Sequence, residues 1–172
     1  QTETGRLPDS INDSLIIDNY CKPPIHGWTL RHLKRIMHLD KGQEYEAYQG
    51  LSKWTEWWLN YRDQDHDGLC EYTHGNDSGW DNSTVFHELP PVTSPDLATF
   101  LTIQMEELAN LADALGRTKE MEQWNHRAEK MKQQLFSQLF DGEKPIAIRT
   151  ITREKIVSES LLVYMPILLG TE

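Results

Sequence analysis

Three aspartates at alternate positions, Asp63, Asp65 and Asp67, are followed at once by Gly68. That spacing turns carboxylate oxygens toward one side of a tight bend, and glycine permits the bend itself. The pattern D-x-D-x-D-G is the opening of a calcium-binding loop. Leu69 would add its backbone carbonyl to the same set. A complete EF-hand closes with a bidentate glutamate at the twelfth loop position, and His74 stands there. The paired-helix EF-hand therefore fails. Two readings stay open: a calcium site closed by a carboxylate from elsewhere, and a solvated acidic turn.

The stretch from Asn76 to Ser83 reads NDSGWDNS and suggests different chemistry. An acid that cleaves glycosidic bonds must keep its proton near neutral pH. That requires partial desolvation or a neighbouring negative charge. Asp81 has an indole, Trp80, directly before it and a second carboxylate, Asp77, close by. Trp80 and Trp28 are also suited to stack on the apolar face of a sugar while polar groups fix its hydroxyls. The plainer alternative is a polar turn in which Asp81 caps backbone amides. Glu71, Glu88 and Glu159 are available as a second carboxylate, but none sits in a recognisable base motif.

Other chemistries find little support. The seven histidines are scattered, with no His-x-x-x-His pair and no zinc spacing. His26, beside Trp28, would either touch a ligand or simply pack. Cys70 has no neighbouring base pattern to make it a nucleophile. Phosphate-cradling glycine loops and serine elbows are missing. A formal charge of -10 argues against broad contact with nucleic acid or anionic membranes, and suits a neutral polyhydroxylated ligand. No apolar run has the length of a membrane span. Cys21 and Cys70 could pair or stay reduced. Sequons at Asn12, Asn76 and Asn82 are permissive of secretion, so a periplasmic or secreted location is favoured over the cytoplasm.

The elements that must hold these residues are helical. Pro23 and Pro24 force an extended path, and Thr29 is the expected cap of a helix carrying Leu30, Leu33, Ile36 and Met37. A second helix is expected over about 43–60, with Ala47, Tyr48, Leu51, Trp54, Trp57 and Trp58 forming a stripe too broad for a surface helix. Ser94-Pro95-Asp96 is a strong helix start. Leu97, Leu101, Met105, Leu108, Ala112 and Leu115 then recur every three or four residues until Gly116. Thr118 opens a partner helix with Met121, Trp124, Ala128, Met131, Leu135 and Leu139. The two make an antiparallel hairpin. A last helix, interrupted near Pro166, is expected over 155–169. The prediction is an all-α chain of helical hairpins, one domain or part of one at 172 residues.

GWDNS with the preceding Asp77-Ser78 resembles the acid motif of the (α/α)6-barrel glycosidases. It is most similar to glycoside hydrolase family 63, and trehalases of family 37 carry a related motif. The Pro23-Pro24 to Trp28 segment, the D-x-D-x-D-G loop and the helix from Asp96 to Gly116 match in the same order, covering most of residues 20–140. The resemblance implies that Asp81 is the general acid of an inverting hydrolysis of α-linked glucosyl or similar residues. It implies a pocket shaped by Trp80, Trp28, Pro23 and Pro24, with Asp77 and Asn82 either touching sugar hydroxyls or supporting the residues that do. It also implies a structural calcium at Asp63, Asp65, Asp67 and Leu69, with no organic cofactor. Asp77 stands where trehalases have glutamate and Asn76 where they usually have arginine, which disfavours trehalose itself. The family's general base is a glutamate downstream of the segments present here. Residues 1–172 are thus expected to be the middle of a barrel whose remainder completes the site, with little activity alone. The rival readings are a calcium-stabilised helical scaffold and a carbohydrate-binding module without catalysis.

Overall fold

A computed structural model describes residues 1–80, 82–87 and 90–170. Four α-helices, α1 (His26–Leu33), α2 (Lys41–Tyr61), α3 (Pro95–Ala114) and α4 (Thr118–Gln138), carry the packing. Helix α2 starts at a reciprocal capping box. Asp40 accepts from the Gln43 amide, and the Gln43 side chain accepts from the Asp40 amide. Tyr48, Leu51, Trp54, Trp57 and Trp58 are buried on it, as the breadth of its stripe requires. Helix α3 starts at Pro95 as expected, and Gly116 takes the positive φ (72°) that ends the hairpin turn into α4.

Every residue from Val92 to Met105 is buried, polar ones included. Helix α3 is therefore an inner helix, packed against α1, α2, α4 and a 3-10 stretch at Leu161–Leu169. Its buried polar groups are paired. Gln104 donates to Thr55 at 3.0 Å and accepts from the Gly27 amide at 2.9 Å. A Cβ at Gly27 would come within 2.4 Å of the Gln104 Cα, so only glycine lets α1 approach α3 this closely. Glu107, 2% exposed, meets Lys34 at 2.7 Å across the same interface.

Three sequence expectations need correction. Helix α1 starts earlier than a Thr29 cap would allow, because the chain turns at Ile25 directly after the two prolines. It also ends at Leu33, leaving Ile36 and Met37 exposed. The last segment is not an α-helix, because Lys155–Ile156 is a strand and Leu161–Leu169, with Pro166 inside, winds as 3-10. The chain is not purely helical either. Strands β1 (Ser10–Ile11) and β2 (Ile16–Ile17) form one hairpin, and β5 (Phe140–Asp141) and β6 (Lys144–Pro145) another. Strands β3 (Glu71–Tyr72), β4 (Val92–Thr93), β7 (Ala147–Arg149) and β8 (Lys155–Ile156) form an antiparallel sheet in that order. Pairing of β3 with β4, Glu71 opposite Thr93 and Tyr72 opposite Val92, joins both ends of the long loop holding GWDNS. Cys21 and Cys70 are buried free thiols, not a disulfide. Among the described residues no helix is long and apolar enough to cross a membrane.

Candidate active site

The loop from Thr73 to Pro91 starts with a 3-10 turn at Gly75–Asp77, built around a single carboxylate. Asp77 is 1% exposed. Its Oδ2 accepts from the amides of Thr73 (3.2 Å) and His74 (3.1 Å) and from the Thr73 hydroxyl (3.1 Å). Its Oδ1 accepts from the Cys21 amide at 3.0 Å. Arg62 supplies the counter-charge at 3.4 Å. Both oxygens are thus committed, and Asp77 holds the turn instead of facing a sugar hydroxyl. The turn continues through Ser78, whose hydroxyl donates to the Gly75 carbonyl (2.6 Å) and accepts from the Trp80 amide (2.9 Å). Gly79 follows with φ of 73°.

The proline segment packs beside this turn. Pro23 lies against Gly79, Lys22 donates to the Asn76 carbonyl at 3.3 Å, and Tyr20 stacks on His74 with ring centroids 4.5 Å apart. Pro24 is buried beside it. Trp80 is half-buried against a cluster of Val85, Val92, Ala147, Leu162 and Val163. Asn82 is exposed. Trp28 is also half-buried, its ring 4.3 Å from His32 on the same helix. His26 sets its ring edge toward Trp54 at 6.4 Å. Asp81 and Glu88 lie outside the described residues. Of the other two carboxylates considered as a base, Glu71 is fully buried and accepts from the Gln64 amide at 3.1 Å, while Glu159 is exposed. Burial raises the Glu71 carboxyl to about 7.

After the GWDNS turn the chain makes a second 3-10 turn at Thr84–Phe86. Ser83 and Thr84 bond to Ser160 and Ser158 at 2.9 and 2.7 Å, tying the loop to the segment before the last 3-10 stretch. A cleft of about 830 Å³ opens here, between Thr84, Val85 and His87 on one side and Arg149, Lys155 and Ile156 on the other. Sequence reasoning did not single out this second wall. Its residues belong to strands too short for any periodic signal.

The acidic loop lies on the other side of β3. Carboxylate oxygens of Asp63, Asp65 and Asp67 all fall within 4.8 Å of one another. Ligands on opposite sides of a calcium ion stand about 5 Å apart, so the set fits one. Gly68 takes φ of 91° and the Leu69 amide donates to Asp67 at 2.9 Å. Asp63 Oδ1 is buried with no hydrogen-bond partner. Burial, with the charge of Asp67 adding, pushes the Asp63 carboxyl up. Arg153, absent from sequence expectations, pairs with Asp67 at 2.7 Å and Asp65 at 3.2 Å.

The chain belongs to the family of mannosylglycerate hydrolase MGH1-like glycoside hydrolase domains, which matches residues 1–172. Among solved structures it is similar to an uncharacterized conserved protein from Thermus thermophilus, with a TM-score of 0.79 and 19% identity. It is equally similar to the GH63 mannosylglycerate hydrolase of that organism. The complex with Tris gives a TM-score of 0.78 at 17% identity, and the complex with glucose gives 0.79 at 18%. These likenesses cover 100% of this chain, and 58%, 59% and 57% of the three relatives respectively. They show the fold to be that of the helical-barrel hydrolases. The chain spans less than two thirds of their length. No curated protein matches the sequence.

Proposed function

We propose that the full-length protein is an inverting glycoside hydrolase that cleaves an α-linked glucosyl or similar hexosyl residue from a small glycoside. In this reading Asp81 donates a proton to the departing glycosidic oxygen. A carboxylate outside residues 1–172 activates water on the opposite face, at the roughly 6.5 to 9.5 Å separation inversion needs. Trp80, Trp28, Pro23 and Pro24 shape the sugar pocket, and exposed Asn82 is available to a hydroxyl. The observation that carries the reading is the proline segment packed beside the turn that leads to Trp80, with Pro23 next to Gly79 and Lys22 bonded to the Asn76 carbonyl at 3.3 Å.

The cleft beyond Thr84 bears on the other half of the substrate. The wall carries His87, Arg149 and Lys155 together with Glu154, which pairs with Arg149 at 3.3 Å, and this small basic excess favours an aglycone with a carboxylate over a neutral one. The similar enzyme from Thermus thermophilus, a mannosylglycerate hydrolase also seen in complex with Tris and D-glycerate, supports that preference. Asp63, Asp65, Asp67 and the Leu69 carbonyl form the set for a structural calcium. The bound ion would stiffen the connection between α2 and β3. With the base missing, residues 1–172 alone turn over little or no substrate.

The test is the full-length enzyme assayed against hexosyl hydroxy acids and neutral α-glucosides, with proton NMR of the first-formed sugar. Release of the β-anomer from an α-glycoside is expected. Release of the α-anomer, or no cleavage of any glycoside, would reject the reading.

A further inference from the structure

Arg62 has no place in any sequence motif, yet four parts of the site meet on its guanidinium. It lies one residue past α2, with a side chain only 13% exposed. Nη1 donates to the Thr73 hydroxyl and stands 3.4 Å from Asp77 Oδ2. Nη2 reaches Cys21 Sγ at 3.5 Å, in the segment that leads to Pro23. The guanidinium carbon sits over the rings of Trp57 (5.3 Å) and Trp58 (5.9 Å), so the charge is held by α2 itself. The Arg62 carbonyl also accepts from the Glu71 amide at 2.7 Å, fixing where β3 begins.

We propose that Arg62 is the positioning residue of the site, setting the Gly79-Trp80 turn through Asp77. Burying a carboxylate as deeply as Asp77 is costly without a cation or several donors beside it, and it has both. Asp77 is linked onward by short contacts. Ser78 bridges the Gly75 carbonyl and the Trp80 amide, and Gly79 lies beside Pro23, whose segment Asp77 holds at the Cys21 amide. A displaced Asp77 therefore moves both walls of the site together. Lysine at position 62 would keep the charge but lose the fork that spans Thr73, Asp77 and Cys21. Arg62 acts through these contacts within the protein.

The kinetic arm of the test rests on the glycosidase reading; the spectroscopic arm does not. In the full-length protein labelled with 5-fluorotryptophan, the Trp80 resonance is assigned by its loss in Trp80→Phe. It should move or split in Arg62→Met and return toward its original position in Arg62→Lys. In the same proteins, kcat should fall about 10- to 100-fold in Arg62→Met with KM changed less than about threefold, as for a misplaced group. Arg62→Lys should recover part of that loss. Should Arg62→Met not fold, Asp77→Asn carries the same expectations. A Trp80 resonance that stays in place in a folded variant overturns the proposal, as does a kcat within twofold of wild type. A wild type that cleaves no glycoside removes the proposed function and leaves the Trp80 resonance to decide.

Discussion

The ring of Pro23 rests against Gly79, close enough that a Cβ on the glycine would stand 3.9 Å from Pro23 Cδ. The contact is ordinary in distance, so space does not demand glycine at 79. The backbone does, with φ of 73°.

Gly79→Ala should accordingly destabilise the protein by about 1 kcal/mol or somewhat more through left-handed strain alone. Thermal or urea unfolding of the variant measures it. A neutral or stabilising outcome would mean that the turn relaxes into another conformation.

Asp96, fully buried at the start of α3, accepts from the Tyr72 hydroxyl at 2.9 Å and from Ser94. Burial outweighs these bonds and raises its carboxyl from 3.8 to about 6. The folded state thus holds this proton to higher pH than the unfolded chain does. Its stabilising contribution is complete below about pH 4 and is lost as pH rises to about 6, because ionising the buried group costs more than ionising it in water. The stability of wild type relative to Asp96→Asn should therefore decline over that interval, by up to about 3 kcal/mol. Urea midpoints at a series of pH values give the difference directly. A difference that is flat, or that grows with pH, would contradict it.

Calcium should raise the melting temperature of the EDTA-stripped protein, and Asp63→Asn should abolish the rise. Arg153 already neutralises part of the charge on Asp65 and Asp67 from the β7–β8 connection. Arg153→Ala should then lower the melting temperature without calcium and enlarge the gain on adding it. Equal shifts in wild type and Asp63→Asn would remove calcium from this loop.

Much of the scaffold could be read from residue types. The broad aromatic stripe of α2 and the apolar repeats of α3 and α4 survive because burial follows a period of 3.6 residues over many turns. The start at Ser94-Pro95-Asp96 and the glycine at 116 mark their ends by local chemistry. What escaped is set by contacts distant in sequence. Nothing near Asp77 says that Cys21 and Arg62 will close on it, so the choice between a sugar contact and a supporting role could not be made from its neighbours. The sheet joining Glu71–Tyr72 to Val92–Thr93 and Ala147–Arg149 is built of strands two or three residues long, too short to show alternation. Leu33, Ile36 and Met37 continue the periodicity of α1, yet the helix stops at Leu33 and all three are exposed. The order of the motifs, by contrast, was a sound guide to the family, whose model matches residues 1–172.

The proton on one carboxyl decides the account. Asp81→Asn in the full-length enzyme removes that proton while leaving the size of the side chain almost unchanged. Turnover of a hexosyl substrate with a poor leaving group should fall ~100-fold or more, with the melting temperature little altered. Turnover within a few-fold of wild type would show that some other group protonates the leaving oxygen.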